Sequence, residues 1–90
     1  MISGLNGSNC ILTGIAKIRV KNKMIERAEI VGTKGDYVVE FYGKCAEWNG
    51  KPVVLCSQRD PCKPKRFRSL DGAVSQISEI GLDRLSIIIR

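Results

Sequence analysis

The ninety-residue sequence contains no histidine, the commonest general base in enzymes and the usual partner of a serine or cysteine nucleophile. Its nine carboxylates are scattered, with no Asp-x-Asp or Glu-x-x-His arrangement that would hold a hard metal ion. The glycines do not form the Gly-x-x-x-x-Gly-Lys pattern of a phosphate-binding loop. These absences predict a protein that is not an enzyme, takes no small-molecule substrate and uses no cofactor.

Long apolar runs are also missing, since none reaches the roughly 18–20 residues needed to span a bilayer. Residues 1–9 are small and polar and lack the features of a signal peptide, so we expect a mobile segment ahead of one domain at residues 10–90. A domain of this size buries only about 60–65% of its unfolded surface, so its core is thin. We expect a cytoplasmic protein with reduced cysteines and no membrane contact.

The four cysteines do not have the spacing of a structural zinc site, which normally draws its ligands from Cys-x₂₋₄-Cys pairs. Between Cys10, Cys45, Cys56 and Cys62 there are 34, 10 and five intervening residues. This spacing favours small core residues and predicts no metal site. A disulfide under oxidation, for which Cys45 and Cys56 on paired strands are candidates, and a four-cysteine metal site are the alternatives.

Positive charge is concentrated in two stretches. The chain carries 15 Lys and Arg against nine Asp and Glu, a net charge of +6. Residues 17–27 and residues 59–68 each contain five cations and one acid. Charge gathered in this way on a small domain attracts anions, whereas a solvated basic surface that only maintains solubility is the simpler interpretation.

The first half of the chain predicts strands. Residues 14–21 alternate, with Ala16, Ile18 and Val20 on one side, which indicates a half-buried strand. Its outer face would then be basic and carry candidate binding residues: Lys17, Arg19 and Lys21. Residues 24–31 fit a strand or a helix, and their shortness favours a strand. Residues 37–45 and 52–58 predict a hairpin around Asn49-Gly50, in a register that the loop length leaves open.

The second half predicts one helix and one strand. Ser69 can cap a helix that has Asp71 in its first turn, an apolar stripe from Leu70 to Ile80, and Gly81 as its stop. Residues 85–89 contain three consecutive isoleucines, which is typical of a strand covered on both faces. The expected fold is α+β: a small antiparallel meander of four to five strands with one helix on one face, in the order β-β-β-β-α-β.

A basic loop precedes that helix and is the strongest candidate site. It offers five cations as binding residues: Arg59, Lys63, Lys65, Arg66 and Arg68. Two prolines restrict the loop, so less entropy is lost on binding. Phe67 could stack on an exposed base, but the alternation around it favours a residue that fills the core and holds its neighbours outward. Trp48, beside the hairpin turn, is a possible contact residue.

Residues 55–87, which contain this basic turn, the capped helix and the following strand, resemble small accessory proteins of plasmids, phages and integrative elements. Partition-associated proteins of plasmids are among them. The resemblance covers about a third of the chain and its motif is structural, so it transfers no catalytic residue. It implies that the protein binds DNA, RNA or a host ribonucleoprotein on behalf of a mobile element.

Two hypotheses about the function follow, and a third is ranked below them. In the first, the protein is a nucleic-acid-binding accessory module that uses the basic loop and the basic strand face. The helix is poor in cations, so it is not expected to read the major groove. In the second, the protein inhibits a bacterial defence complex, as anti-CRISPR proteins do, by binding protein. The third is a subunit that completes a larger assembly.

Overall fold

The computed structural model describes residues 10–44, 47, 48, 50–56 and 63–89, and for Trp48 it describes the backbone alone. The expected mobile segment at residues 1–9 lies outside these residues, as do Cys45, Arg59 and Cys62. The elements, in chain order, are β1 (Cys10–Ile11), α1 (Thr13–Lys21), β2 (Arg27–Thr33), β3 (Asp36–Tyr42), β4 (Glu47–Trp48), β5 (Lys51–Leu55), α2 (Leu70–Ile80) and β6 (Leu85–Ile89).

The strands form a mixed sheet in the order β1-β5-β3-β2-β6, and the short β4 pairs with β5. β2 is antiparallel to β3, and β3 to β5, but β1 is parallel to β5 and β6 is parallel to β2. The α+β class is confirmed, whereas the antiparallel meander with one helix is wrong. Both helices connect parallel strands, since β1-α1-β2 and β5-α2-β6 each cross over the sheet and return in the same direction.

The expected strand at residues 14–21 is wrong, because these residues form α1. Ala16 and Arg19 are buried three positions apart, and Val20 packs against the core. The exposed positions repeat at helical spacing: Gly14, Lys17, Ile18 and Lys21. The alternation of apolar and basic residues over 14–21 fits a helix as well as a strand, because Ala16 and Val20 share a face in both structures.

The central strands follow their sequence patterns. The strand favoured for residues 24–31 is confirmed as β2, although it begins only at Arg27. Along β3, Tyr37, Val39 and Phe41 are buried. Trp48 is opposite Lys51, so two residues connect β4 and β5, and Val53 lies opposite Phe41 on the buried face. Gly50 has a φ of 78°, which glycine adopts without strain, while Asn49 lies outside the described residues.

The predicted α2 is confirmed at both ends. The Ser69 hydroxyl accepts a hydrogen bond from the Gly72 N–H at 3.1 Å, and Asp71 lies in the first turn. Gly81 adopts the left-handed conformation and its N–H donates to the carbonyls of the last turn. Ala73, Ile77 and Ile80 form the buried face.

One core joins both helices to one face of the sheet. Its largest fully buried members include Phe41, Ile11, Ile30, Leu55 and Ile77. Ala16 of α1 and Ala73 of α2 contribute to the same cluster, so both helices lie on the face that carries Phe41 and Ile30. The opposite face carries the alternate residues of each strand. Among the described residues, no helix is long and apolar enough to cross a membrane.

The expectation that residues 85–89 form an interior strand is wrong. These residues do form β6, but β6 is the last strand of the sheet and pairs only with β2 among the described strands. Ile87, Ile88 and Ile89 are 47%, 40% and 56% exposed. Three consecutive isoleucines are typical of a strand covered on both faces, whereas in this chain they lie exposed at the edge of the described sheet.

Candidate binding surfaces

The described part of the predicted basic loop, residues 63–68, is called the basic segment. It extends the sheet beside β3, because the Tyr37 N–H donates to the Phe67 carbonyl at 2.9 Å and the Phe67 N–H donates to the Tyr37 carbonyl at 2.8 Å. The Lys65 N–H donates to the Leu55 carbonyl at 2.8 Å. The Phe67 side chain is 9% exposed and belongs to the core, so its interpretation as a core residue is confirmed.

The cations of the basic segment have different surroundings. Arg66 donates through Nη1 to both carboxylate oxygens of Asp36, at 2.9 and 3.1 Å, and both side chains are largely exposed. Lys63 and Arg68 are exposed. Lys65 is half-buried, and its Nζ donates to Gln76 Oε1 at 3.0 Å. Arg66 and Arg68, the neighbours of Phe67, therefore point outward as expected, whereas the candidate binding residue Lys65 is only partly exposed.

The predicted basic strand face does not exist as such. Lys17 and Lys21 share the exposed side of α1, where they flank Ile18, but Arg19 faces the other way and is 5% exposed. Residues two positions apart lie on opposite sides of a helix, so α1 separates what a strand would have aligned. Arg19 is therefore not available as a surface contact.

The surface of α2 connects the two basic regions. Lys17 Nζ lies 3.7 Å from Glu79 Oε1, and Gln76 Nε2 donates to Glu79 Oε2 at 3.4 Å. Gln76 in turn accepts the hydrogen bond from Lys65. Lys17 and Lys65, 48 positions apart in the sequence (65 − 17), thus lie on either side of one polar row on α2.

The sheet face opposite the helices has a different character. In the register of β2 and β3, Glu29 lies opposite Glu40 and Arg27 opposite Tyr42. Arg27 donates to Glu29 at 2.9 Å and its guanidinium lies 4.3 Å from the centre of the Tyr42 ring, while the Tyr42 hydroxyl donates to Glu40 at 3.0 Å. Burial, followed by the hydrogen bonds and negative charges of Glu40 and Glu29, raises the pKa of Tyr42 above its usual range.

Beside this cluster lies an open cleft of about 390 Å³ that is lined by residues of β2, β3, β5 and the basic segment. Val31, Val38, Val54 and Pro64 supply its apolar lining, and Asp36, Glu40 and Arg66 supply charged groups. The acidic pair near the centre of this face disfavours a bound phosphate. The sheet face as a whole combines aliphatic, aromatic and charged groups, and this composition resembles that of protein-binding surfaces.

The cysteines and Trp48 are only partly placed. Cys10 and Cys56 are buried, in agreement with the core interpretation for these two. Cys45 and Cys62 lie outside the described residues, so the pairing of Cys45 with Cys56 and a four-cysteine metal site stay untested. Within the part of the chain that the structure describes, no cluster of three or more potential metal ligands is present. The Trp48 side chain lies outside that part.

Comparisons with protein-family models, curated proteins and solved structures find no match for this chain. Its function must therefore be inferred from its surfaces. The helix side combines Lys65 of the basic segment with Lys17 and Lys21, and the opposite sheet face combines acidic, aromatic and apolar groups with Arg66. Asp36, Gln76 and Tyr42 belong to these surfaces but carry no local sequence signal that would have identified them.

Proposed function

We propose that this chain is a small, basic, non-enzymatic binding module of a mobile genetic element that contacts nucleic acid or a ribonucleoprotein. The observation that carries the proposal is the position of Phe67, buried in the core between exposed Arg66 and Arg68. Two backbone hydrogen bonds to Tyr37 fix the same residue to β3. The arginines are thus presented by rigid backbone, so little entropy is lost when they bind an anion.

The contact is proposed to be with phosphates. Because Phe67 fills the core, it is not free to stack on a base, and charge neutralisation is the main attraction left to this segment. Arg66 can exchange its carboxylate partner for a phosphate at small cost, since an exposed ion pair such as Arg66–Asp36 contributes only about 0–1 kcal/mol. Binding of this kind has little sequence specificity.

The contact surface is proposed to extend across α2 to α1. Lys17 and Lys21 lie on the exposed side of α1, and the polar row Lys65–Gln76–Glu79–Lys17 joins α1 to the basic segment. A nucleic acid strand lying along this row would meet cations at both ends. Glu79 in the middle is already close to Lys17, which reduces its repulsion of a phosphate.

The test is the salt dependence of binding to labelled duplex DNA, single-stranded DNA and RNA, measured by fluorescence anisotropy. For the wild type, log K should fall linearly with log salt concentration. In the double variant Arg66→Gln/Arg68→Gln, the slope for duplex DNA should become shallower by about 0.9 for each phosphate that is no longer bound. An amide side chain at position 66 can still donate a hydrogen bond to Asp36, so the fold should be preserved.

The matched control is Lys44→Gln/Lys51→Gln, which removes the same charge from two exposed residues at the other end of β3 and β5. It should leave the slope nearly unchanged if the contacts are local. Equal slopes for both double variants would mean that only the net charge matters. No measurable binding of the wild type to any of the three nucleic acids at low salt would contradict the proposal.

A second candidate function is inhibition of a bacterial defence complex by protein binding. The observation that favours it is the mixed sheet face, where Tyr42 and Arg27 stack beside a cleft lined by both apolar and charged residues. Tyr and Arg are enriched among the residues that dominate protein interfaces. If this function holds, capture of a host complex should survive nuclease treatment and be lost in Tyr42→Ala, whereas Lys17→Gln/Lys21→Gln, on the exposed side of α1, should retain it.

A further inference from the structure

The outer edge of β6 carries backbone groups with no described strand beside them. The Ala28 N–H donates to the Arg84 carbonyl at 3.1 Å, and in a parallel ladder the residues that bond to the neighbour alternate along the strand. The N–H and C=O groups of Ser86 and Ile88 therefore point toward β2. Those of Leu85, Ile87 and Ile89 point outward, where the described sheet ends.

The side chains of this edge are aliphatic except for Ser86, and they lie on both faces of the sheet. Leu85, Ile87 and Ile89 are in register with the core side of β2, but only Leu85 packs against the core. Ile87 and Ile89 stay about half exposed because α2 lies against β2 and β3. Ile88 is exposed on the opposite face.

Natural proteins usually protect such an edge with a charged residue, a proline or a bulge. β6 has none of these, since Leu85–Ile89 contains no charge and no proline and pairs with β2 residue by residue. The other end of the sheet is β1, which is only two residues long. The exposed, unprotected edge of the described sheet is therefore concentrated in β6.

We propose that a second copy of this chain covers the edge, with the two β6 strands antiparallel about a two-fold axis through Ile87. With such an axis, each side chain stays on the same face of the combined sheet. Each residue of β6 therefore lies opposite a residue of the second copy whose number is the same or differs from its own by an even number. Centring on Ile87 places Ile87 opposite Ile87 of the second copy and Leu85 opposite Ile89. All three outward residues of each strand then exchange hydrogen bonds with an outward residue.

The sequence of β6 is self-complementary in this register. Each residue with outward backbone groups meets an aliphatic side chain on the helix-covered face, and no charge is buried. If the axis passed through Ser86 or Ile88 instead, one residue of each strand with outward backbone groups would have no hydrogen-bonding partner within β6 of the second copy. That residue would be Ile89 for an axis at Ser86 and Leu85 for an axis at Ile88. This complementarity identifies a second copy, rather than an unrelated strand, as the occupant.

The first test is sedimentation equilibrium of nuclease-treated, reduced protein over about two decades of concentration. The wild type should dimerise. Ile87→Pro should weaken dimerisation by about 30-fold or more, because it removes an outward N–H at the centre while leaving the bonds to β2 intact. Ile89→Lys should do the same, whereas Ile18→Lys, at an isoleucine that is equally exposed at 56%, should not.

The second test examines the register. Hydrogen-bonded antiparallel pairs have Cα atoms about 5.5 Å apart, within the disulfide range of roughly 4.4–6.8 Å. Ile87→Cys should therefore give a covalent dimer on mild oxidation, with the link at position 87 by peptide mass spectrometry. Ile88→Cys should not, because its thiol would face Ser86 of the second copy. Wild type oxidised in parallel gives the background from the native cysteines.

A wild type that stays monomeric at the highest concentration would overturn the proposal, as would dimers of unchanged affinity in both Ile87→Pro and Ile89→Lys. Efficient cross-linking through position 88 rather than 87 would overturn the register. The dimer does not depend on nucleic acid binding. Arg66→Gln/Arg68→Gln should dimerise like the wild type, so the two proposals can fail separately.

Discussion

The two helices pack on the same face of the sheet but are stabilised in different ways. α2 has a serine cap, an acid in its first turn and a left-handed glycine at its end. α1 begins after Leu12 without a side-chain cap and has no acid in its first turn. Its only favourable end charges are Arg19 and Lys21 in the last turn.

This contrast separates local from tertiary specification of a helix. Helices of nine or 11 residues are both too short to be stable alone in water, where about 12–15 residues are needed even for good helix formers. α2 nevertheless has a broad buried stripe and defined ends. α1 depends on the burial of Ala16 and Arg19 and on the parallel connection from β1 to β2, so its conformation is a consequence of the sheet.

The largest effect is expected from a charge in the buried stripe of α2. Ile77 is fully buried, so Ile77→Asp would place an unpaired carboxylate in the core, at a cost of at least about 4 kcal/mol. A domain of this size has only about 5–10 kcal/mol of stability. We expect loss of cooperative thermal unfolding in circular dichroism at 25 °C or below.

Ile88→Asp is the matched control, because it makes the same chemical change at an isoleucine that is 40% exposed. At concentrations where the protein is monomeric, it should fold and unfold cooperatively with a stability change below about 1 kcal/mol. Unfolding by Ile88→Asp would show that β6 is covered within one chain. A stable Ile77→Asp protein would contradict the assignment of α2 to the core.

The parts of the fold that the sequence predicted are those with local signals. Ser69, Gly81 and the apolar stripe between them define α2, and the alternation of Tyr37, Val39 and Phe41 defines the buried face of β3. The parallel direction of β6 could also have been predicted from the sequence, because a helix that crosses a sheet usually returns the chain to a parallel strand. The position of β6 at the edge of the described sheet could not have been predicted, since a run of isoleucines has the same sequence pattern inside a sheet and at its end.

The candidate surfaces divide in the same way. The basic segment is contiguous in sequence, and the alternation around Phe67 indicated which side chain is buried. The partners of its cations were not detectable, because Asp36 is 30 positions from Arg66 and Gln76 is 11 from Lys65. The alternation of Lys17, Arg19 and Lys21 misled because seven or eight residues do not distinguish a period of two from one of 3.6.

A smaller effect, at a matched pair of alanines, sharpens the contrast between the helices. Ala16 of α1 and Ala73 of α2 are both fully buried, so replacement by leucine overpacks the same layer, at a cost of about 1–3 kcal/mol. In Ala16→Leu we expect amide hydrogen exchange to accelerate first along α1, which lacks a cap to hold it. In Ala73→Leu, protection should fall across the whole core together, and identical patterns in the two variants would show that α1 is as firmly integrated as α2.

The smallest effect concerns the cap that α2 has and α1 lacks. Ser69→Ala removes the acceptor of the Gly72 N–H and should lower the free energy of unfolding by about 1 kcal/mol in urea denaturation, with an unchanged m-value. Ser78→Ala, at an exposed position within the same helix, is the control and should change stability by less than about 0.5 kcal/mol. Equal effects of the two substitutions would mean that the hydroxyl of Ser69 contributes nothing beyond helix propensity. α2 would then depend on packing alone, as α1 does.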